Sequence, residues 1–383
     1  MAVAARASWF QRILLPALAF KAVVIGGGYA TGRELAQFFL SSGPSGGLLG
    51  MMLATGIWSL VCMLTFLFAR MTASRDYQAF FARLLGRFSP AFEIAYFLFI
   101  ILILAVFGAA ASAIGHEAFG LPAWTGSVLL MLAIAVVVTH GAALVEHVFK
   151  YVSIFLYATY AIFLVLCLTH FGDRIGTRLA ENIPIGGGWA LGGITYAGYN
   201  IIGAVVILPV ARHFTSDRDA VVAGLLCGPL AMAPAFLFLV CMIGDYPQIT
   251  RAILPSDVLL RQIDSPVFHV VFQAMILAAL LESGTGLVHA VVERVAGSWR
   301  ARTERPLPRQ VRSAIALALL AGSMFLADRV GLVSLISRGY GVLAWVFIGI
   351  YVLPLLTVGW AMLRRNRSIA TASHHPAIPQ TQD

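Results

Sequence analysis

The stretch Val24-Ile25-Gly26-Gly27-Gly28-Tyr29-Ala30-Thr31-Gly32-Arg33-Glu34-Leu35 lies in the middle of the first long apolar segment of this chain. A simple membrane anchor has no use for three consecutive glycines and two charged side chains at that depth. Glycine weakens a helix, and backbone that leaves the helix inside hydrocarbon needs protein, water or a ligand to satisfy its N–H and C=O groups. The stretch therefore predicts a spanning helix interrupted at a binding site.

Composition sets the frame around that break. Of 383 residues, 60% are hydrophobic and only 11% charged, with a mean hydropathy of +0.88. This is the profile of an all-α polytopic membrane protein. Segments long enough to cross a bilayer read at residues 13–40, 47–69, 91–115, 122–139, 148–170, 190–211, 220–244, 266–290, 311–327 and 340–363, which makes ten transmembrane helices. The net charge of +9 points to topology, with no call for nucleic acid as a partner. Arg6 and Arg12, Arg70, Arg75, Arg83 and Arg87, Arg294 to Arg312, and Arg364 and Arg365 fall on one side. Arg174, Arg178, Arg251, Arg261, Arg329 and Arg338 fall on the other. The richer side is cytoplasmic by the positive-inside rule, so both termini are expected inside a multi-pass protein of the cell (inner) membrane. The first apolar segment is too long for a secretory signal and lacks a small-residue cleavage site. Cys62, Cys167, Cys227 and Cys241 all sit in apolar spans, as small buried side chains do, and imply neither a disulfide framework nor a metal site.

The chain divides into a cytoplasmic N-terminus (1–12), one transmembrane domain (13–363) and a polar tail (364–383) expected to be disordered. Between spans, Tyr77, Phe80, Phe81, Leu84, Leu85 and Phe88 recur at helical spacing among arginines and predict a helix lying at the cytoplasmic interface. Residues 245–265 form a longer outer connection in which Ser256 to Leu260 reads either as a short lid helix or as a passive connector. The sixth span carries a second interruption, Gly198-Tyr199-Asn200-Ile201-Ile202-Gly203. Five spans per half, about 13–170 and 190–363, insert in opposite directions. Two broken helices at corresponding places then point to a midplane site between inverted repeats. Glycine is common in membrane helices, so a chance pair of glycine-containing spans competes with this reading.

The run Val24 to Leu35, followed by Gly43-Pro44-Ser45-Gly46-Gly47, resembles the opening of the bacterial YkvI-type membrane proteins. These are grouped with the amino acid, polyamine and organocation transporters, which share the LeuT-type 5+5 inverted-repeat fold with broken helices 1 and 6. The resemblance extends over the whole chain in span count, while its specific motif is confined to the first span and, more weakly, to Tyr199-Asn200. It implies a transporter of an amino acid or related small amine. It also places the first, third and sixth spans around the substrate, with carbonyls of the breaks open to an ammonium group. Substrate-binding candidates are then Gly26, Gly27, Gly28, Tyr29, Thr31, Gly32, Phe107 beside Gly108, Tyr196, Tyr199 and Asn200. Plain core or lipid packing is the competing explanation for the aromatic ones.

Coupling or gating candidates are Lys21, Arg33, Glu34, Glu282, Ser283 and Thr285. Thr31 and Glu34 have the spacing of a capping box, which would start the outer half-helix and explain a carboxylate there. Alternatively, the N–H groups of Thr31, Gly32 and Arg33 receive a substrate carboxylate at the positive end of that half-helix, leaving Glu34 as gate or proton acceptor. Arg33 is expected either to close an outer gate with an acidic or aromatic partner or to snorkel. Lys21 and Glu282 are costly within a bilayer unless partnered: either Glu282 neutralises Lys21 or exchanges a proton with it, or the two form a structural ion pair that fixes helix packing. In LeuT-type folds the first and eighth spans meet at a sodium site, and Ser283 and Thr285 supply hydroxyls here, although not as an adjacent pair. A Lys21 ammonium near that position favours a proton-coupled or uncoupled transporter over a sodium-coupled one. No dinucleotide, zinc-protease or nucleophile motif survives inspection of spacing, so neither an enzyme nor a cofactor is expected. The expected partners are a small-molecule substrate, a coupling proton or sodium ion, and the lipid bilayer. A channel or ligand-sensing membrane protein is the alternative from another class.

Overall fold

A computed structural model describes residues 7–25, 27–140, 142–181 and 183–372. Arg6, Gly26 and the tail beyond Ala372 lie outside the described residues. Every regular element among them is helical. The first apolar segment is not one helix. α1 (Leu15–Val24) stops at Ile25, whose ψ of 79° is non-helical. One turn, α2 (Gly27–Ala30), follows, and α3 (Arg33–Phe38) starts after Gly32 in the left-handed region at φ 78°. A side chain at that φ costs about 1–2 kcal/mol. A Cβ on Gly32 would also stand 2.8 Å from Phe238 Cζ and 3.2 Å from Pro255 Cβ.

The remaining helices follow as α4 (Pro44–Met71), α5 (Tyr77–Leu85), α6 (Ser89–Phe119), α7 (Thr125–His140), α8 (Ala142–Ala180), α9 (Trp189–Asn200) and α10 (Gly203–Val206). After them come α11 (Asp217–Ile243), α12 (Pro255–Ile263), α13 (Pro266–Thr303), α14 (Arg309–Val330), α15 (Leu332–Ser334), α16 (Gly341–Phe347) and α17 (Trp360–Ala372). Among the described residues, eight helical stretches are long and apolar enough to cross a membrane, and Thr125–Thr139 is a shorter apolar helix. The chain is a multi-pass membrane protein.

The expected interruption in the sixth segment is milder than the one in the first. Ile201 (φ −62°, ψ −18°) and Ile202 (φ −54°, ψ −29°) stay in the right-handed helical region. The chain merely tightens there, as Ala204 N–H donates to the Ile201 carbonyl at 3.0 Å and Val205 N–H to that of Ile202 at 3.1 Å. Gly198 serves packing rather than unwinding. A Cβ there would meet Ala344 Cβ at 3.2 Å, so its absence lets α16 approach α9.

The helices fall into two groups. α1, α4, α9 and α11 pack on one another, with Trp58 Nε1 of α4 donating to the Ala197 carbonyl of α9 at 3.2 Å. α6, α7, α13 and α14 form the second group, with α8 laid along α13. Two faces can be defined by chain contacts. On the N-terminal face Arg12 reaches Thr215 and Asp219, Arg70 pairs with Asp217, and α5 lies nearby. On the loop face Gly186 N–H bonds the Ser42 carbonyl and α12 covers α3.

Two expectations about the edges change. α5 forms where predicted, but its apolar side is used inside the protein: Phe80, Phe81 and Leu84 are buried, with Phe81 stacked on Phe92 at 3.5 Å and edge-on to Tyr351 at 5.2 Å. Only Phe88 remains exposed. The last helix also runs on to Ala372, past Arg364 where the tail was expected to lose structure. Arg364 stands 4.9 Å over the ring of Trp360 one turn back, a cation–π contact that favours continuing the helix.

Candidate functional site

A cavity of about 350 Å³ lies where α1 ends and α3 begins, between the two helix groups. That is the size of a small-molecule site. α1 contributes Val24 and Ile25, α3 contributes Glu34, and α6 contributes Tyr96, Phe99 and Phe107. Tyr157 comes from α8, Tyr199 and Asn200 from α9, Glu282 and Ser283 from α13, and Tyr340 from the turn before α16. The cavity is graded in depth. Glu34, Phe107, Tyr199 and Tyr340 form a buried end, whereas Val23, Tyr157 (43% exposed) and Val206 form an open end. Val206 leads into the turn that meets Arg12 and Thr215, so the opening is toward the N-terminal face.

Glu34 is the chemical centre. The residue is 6% exposed, and its carboxylate accepts a hydrogen bond from the Tyr199 hydroxyl at 2.6 Å. Among the described residues no Lys, Arg or His is in ion-pair contact with it. Tyr199 is itself braced, stacked on Tyr340 at 4.3 Å and 19°. The expected capping box does not form. The residue before α3 is the left-handed Gly32, the helix has no side-chain cap, and Thr31 Oγ1 accepts from Arg33 N–H at 3.3 Å. Because the glycine turns the chain one residue late for the motif, the Glu34 side chain is released into the cavity.

The N–H groups of Thr31, Gly32 and Arg33 do not line the cavity. Gly32 N–H bonds the Tyr29 carbonyl at 3.0 Å. Thr31 offers its carbonyl to Ser256 N–H at 3.0 Å, and Pro255 packs on Gly32. Arg33 neither snorkels nor meets an acid or a ring. It is buried and donates to the carbonyls of Thr250 (2.9 Å) and Ala252 (2.7 Å) and to Gln37 Oε1 (2.8 Å). The segment 250–257 is thus bonded down onto the first segment, and the stretch read as a short lid or a connector is helical, α12. Asp257 fixes α12 from below. It accepts from Arg261 Nε at 2.7 Å and Gln273 Nε2 at 2.9 Å, with His269 Nε2 at 2.6 Å. Asp257 in turn holds the Arg261 guanidinium above its ordinary pKa.

Among the described residues no Lys21–Glu282 ion pair is formed. The Lys21 ammonium stands 4.6 Å over the ring of Tyr157, which lines the cavity with Glu282. Lys21 itself does not line the cavity. Ser283 does, while Thr285 is fully buried behind it, its hydroxyl without a hydrogen-bond partner.

Of the other candidates, Phe107, Tyr199 and Asn200 reach the cavity, and Asn200 Nδ2 donates to the Tyr196 carbonyl at 3.1 Å. Tyr29 and Tyr196 do not. Tyr29 packs toward Tyr160 (6.1 Å), and Tyr196 sits among Phe39 (4.8 Å) and Trp58 (5.5 Å), one turn nearer the loop face than Tyr199. Gly27 and Gly28 lie in α2, and Gly108 packs against Met131. Reading the sequence missed Tyr96, Phe99, Tyr157 and Tyr340. Only Tyr340 carried a signal, its flanking Gly339 and Gly341 at the start of an apolar span.

This helical arrangement and its central cavity define an all-helical, multi-pass membrane protein with LeuT-fold structural neighbours. The chain is similar to the uncharacterized membrane protein YkvI of Bacillus subtilis (strain 168), at 23% identity over 343 residues, 87% of this chain and 93% of that protein. No family model matches it. Among solved structures it resembles MhsT in complex with L-phenylalanine, with a TM-score of 0.56 and 16% identity over 93% of this chain and 97% of the other. It also resembles the substrate-bound outward-open state of a Na+-coupled sialic acid symporter, with a TM-score of 0.55 and 13% identity over 91% and 85% of the two chains.

Proposed function

We propose that this protein is a secondary transporter of a small amine or amino acid, working by alternating access and coupled to protons. The observation that carries this reading is Glu34, a buried carboxylate with, among the described residues, one hydroxyl donor and no cationic side-chain contact, at the closed end of a cavity. An ionised carboxylate withdrawn from water is costly unless neutralised. A proton does this when the site is empty, and a ligand ammonium does it when the site is filled. Exchange of one for the other couples the two fluxes.

The eight long helices, the interrupted first segment and Thr125–Thr139 together make ten spans, read as two inverted halves of five. α1 to α3 and α9 to α10 then hold corresponding places beside the site. The N-terminal face, rich in arginine, is assigned to the cytoplasm, so the present state is open inward and sealed outward by α12. Movement of the group α1, α4, α9 and α11 against the group built on α6 and α13 would reverse that exposure.

Reconstituted in liposomes, the protein is expected to take up labelled amines saturably, with counterflow, and to be driven by a pH gradient. Flux that grows linearly without counterflow would identify a channel instead. Sodium coupling is a second reading with its own support. The orphan hydroxyl of Thr285 is an oxygen ligand in waiting beside the interruption, and one structural neighbour is Na+-coupled. Uptake driven by a sodium gradient alone, and lost in Thr285→Ala, would establish that reading over the proton.

A further inference from the structure

We propose that the buried end of the cavity is a subsite for an alkylated ammonium group, that the ligand is therefore a small organic cation without a carboxylate, and that Tyr340 sets this preference. The inference rests on the transporter reading only for what happens to the ligand after it binds.

Six aromatic rings, those of Tyr96, Phe99, Phe107, Tyr157, Tyr199 and Tyr340, line one cavity of about 350 Å³. At its buried end the side chains are Phe107, Tyr199, Tyr340 and the Glu34 carboxylate. Glu34 is the charged acceptor there, beside the hydroxyl oxygens of Tyr199 and Tyr340, and it already accepts the Tyr199 hydroxyl. The other polar lining groups, Asn200, Ser283 and Glu282, are half-buried and lie toward the open end. A primary ammonium brings three N–H donors, and each one left unbonded on burial is costly. A tertiary ammonium brings one and a quaternary ammonium none. Ring faces attract such a cation through their quadrupole, and alkyl groups on nitrogen fill the space between them.

Among the described residues a ligand carboxylate finds no cationic counterpart in the cavity wall. No Lys, Arg or His is among the described lining residues, and the N–H groups of Gly32 and Arg33 are bonded to Tyr29 and Thr31. In this respect the cavity departs from the ligands named for its structural neighbours, L-phenylalanine and sialic acid, both of which carry carboxylates. Tyr340 is the ring with most influence over the subsite. It is buried, it stacks on the very tyrosine that holds Glu34, and it closes a run of wide i→i+5 turns (Leu335–Tyr340). Such turns inside a helix recur at functional sites.

Calorimetric titration of the purified protein with ethanolamine, its mono- and dimethyl derivatives, choline, glycine betaine and L-phenylalanine tests this directly. Affinity is expected to rise along the methyl series by about tenfold or more, and choline is expected to bind at least about tenfold more tightly than glycine betaine or L-phenylalanine. Tyr340→Leu should flatten the methyl series and Tyr340→Phe should preserve it, while Glu34→Gln should weaken every cation. Melting curves without ligand show which variants are folded, and Phe99→Leu stands in for Tyr340→Leu if that variant is not. Tighter binding of either carboxylated ligand, no gain on methylation, or no binding of any cation overturns the assignment. Cation binding without counterflow in liposomes upholds the subsite and removes the transporter reading. Counterflow of an amino acid without a methyl preference does the reverse.

Discussion

Gly32 shows how much of this site hangs on single residues. Its left-handed φ of 78° ends the short α2 and aims α3, and the space beside it is taken by Phe238 and Pro255. Alanine there meets two penalties, about 1–2 kcal/mol for backbone conformation and a further displacement of the Phe238 ring. Gly32→Ala should therefore lower the melting temperature of the detergent-purified protein by several degrees and weaken ligand binding, because Glu34 is only two residues away. An unchanged melting curve would mean that the turn is not under this constraint. The same residue explains why the Thr31 to Glu34 motif misled. Spacing alone predicts a cap, but the cap position is decided by which residue turns the chain, and here the glycine does so.

At the level of elements, α12 is joined to the first segment by backbone rather than by complementary charges. Ser256 N–H holds the Thr31 carbonyl, and Arg33 holds two carbonyls just before α12. Asp257 anchors the other side through Arg261, His269 and Gln273. Replacing a buried, multiply bonded carboxylate by a neutral isostere strands its donors, at a cost of about 3 kcal/mol. Asp257→Asn should then speed amide hydrogen exchange across Pro255–Ile263 by about a hundredfold, with α4 unaffected. Equal protection in both proteins would show that Asp257 is not the latch. The helix itself was legible, while its sequence left a lid and a passive connector both open. Its partners were illegible because Thr250, Ala252 and Ser256 act through backbone groups that carry no side-chain signature. The cavity shows the same limit. The interruption was legible because glycines and charges stand out in an apolar run, and Tyr199, Asn200 and Phe107 were found near it. Tyr196 and Tyr199 could not be told apart, since three residues of helix rise only about 4.5 Å and that one step separates the core from the cavity wall. Tyr96, Phe99 and Tyr157 come from helices whose rotation about their own axes is set by packing between distant parts of the chain.

Considered as a whole molecule, the protein pairs a sealed face with an open one, and the proposed orientation puts the arginine-rich open face in the cytoplasm. The N-terminal face carries Arg12, Arg70, Arg83, Arg87, Arg294 and Arg312, several of them matched by acids such as Asp217, Asp219, Glu93 and Glu293. The orientation rule counts Lys and Arg near the span ends and is little affected by neighbouring acids, so these pairings leave the assignment to the cytoplasm intact. All four native cysteines are buried, which keeps the background for thiol labelling low without removing them. Single cysteines at Gln248, between α11 and α12, and at Arg87, just after α5, should therefore report the two faces separately. In intact cells a membrane-impermeant maleimide is expected to label Gln248→Cys at once and Arg87→Cys only after permeabilisation. Val206→Cys, at the open end of the cavity, should behave like Arg87→Cys and become protected when ligand is added from the inside. Labelling of Val206→Cys from outside in resting cells would place the cavity mouth on the opposite surface. It would also reverse the direction in which Glu34 exchanges its proton for the substrate.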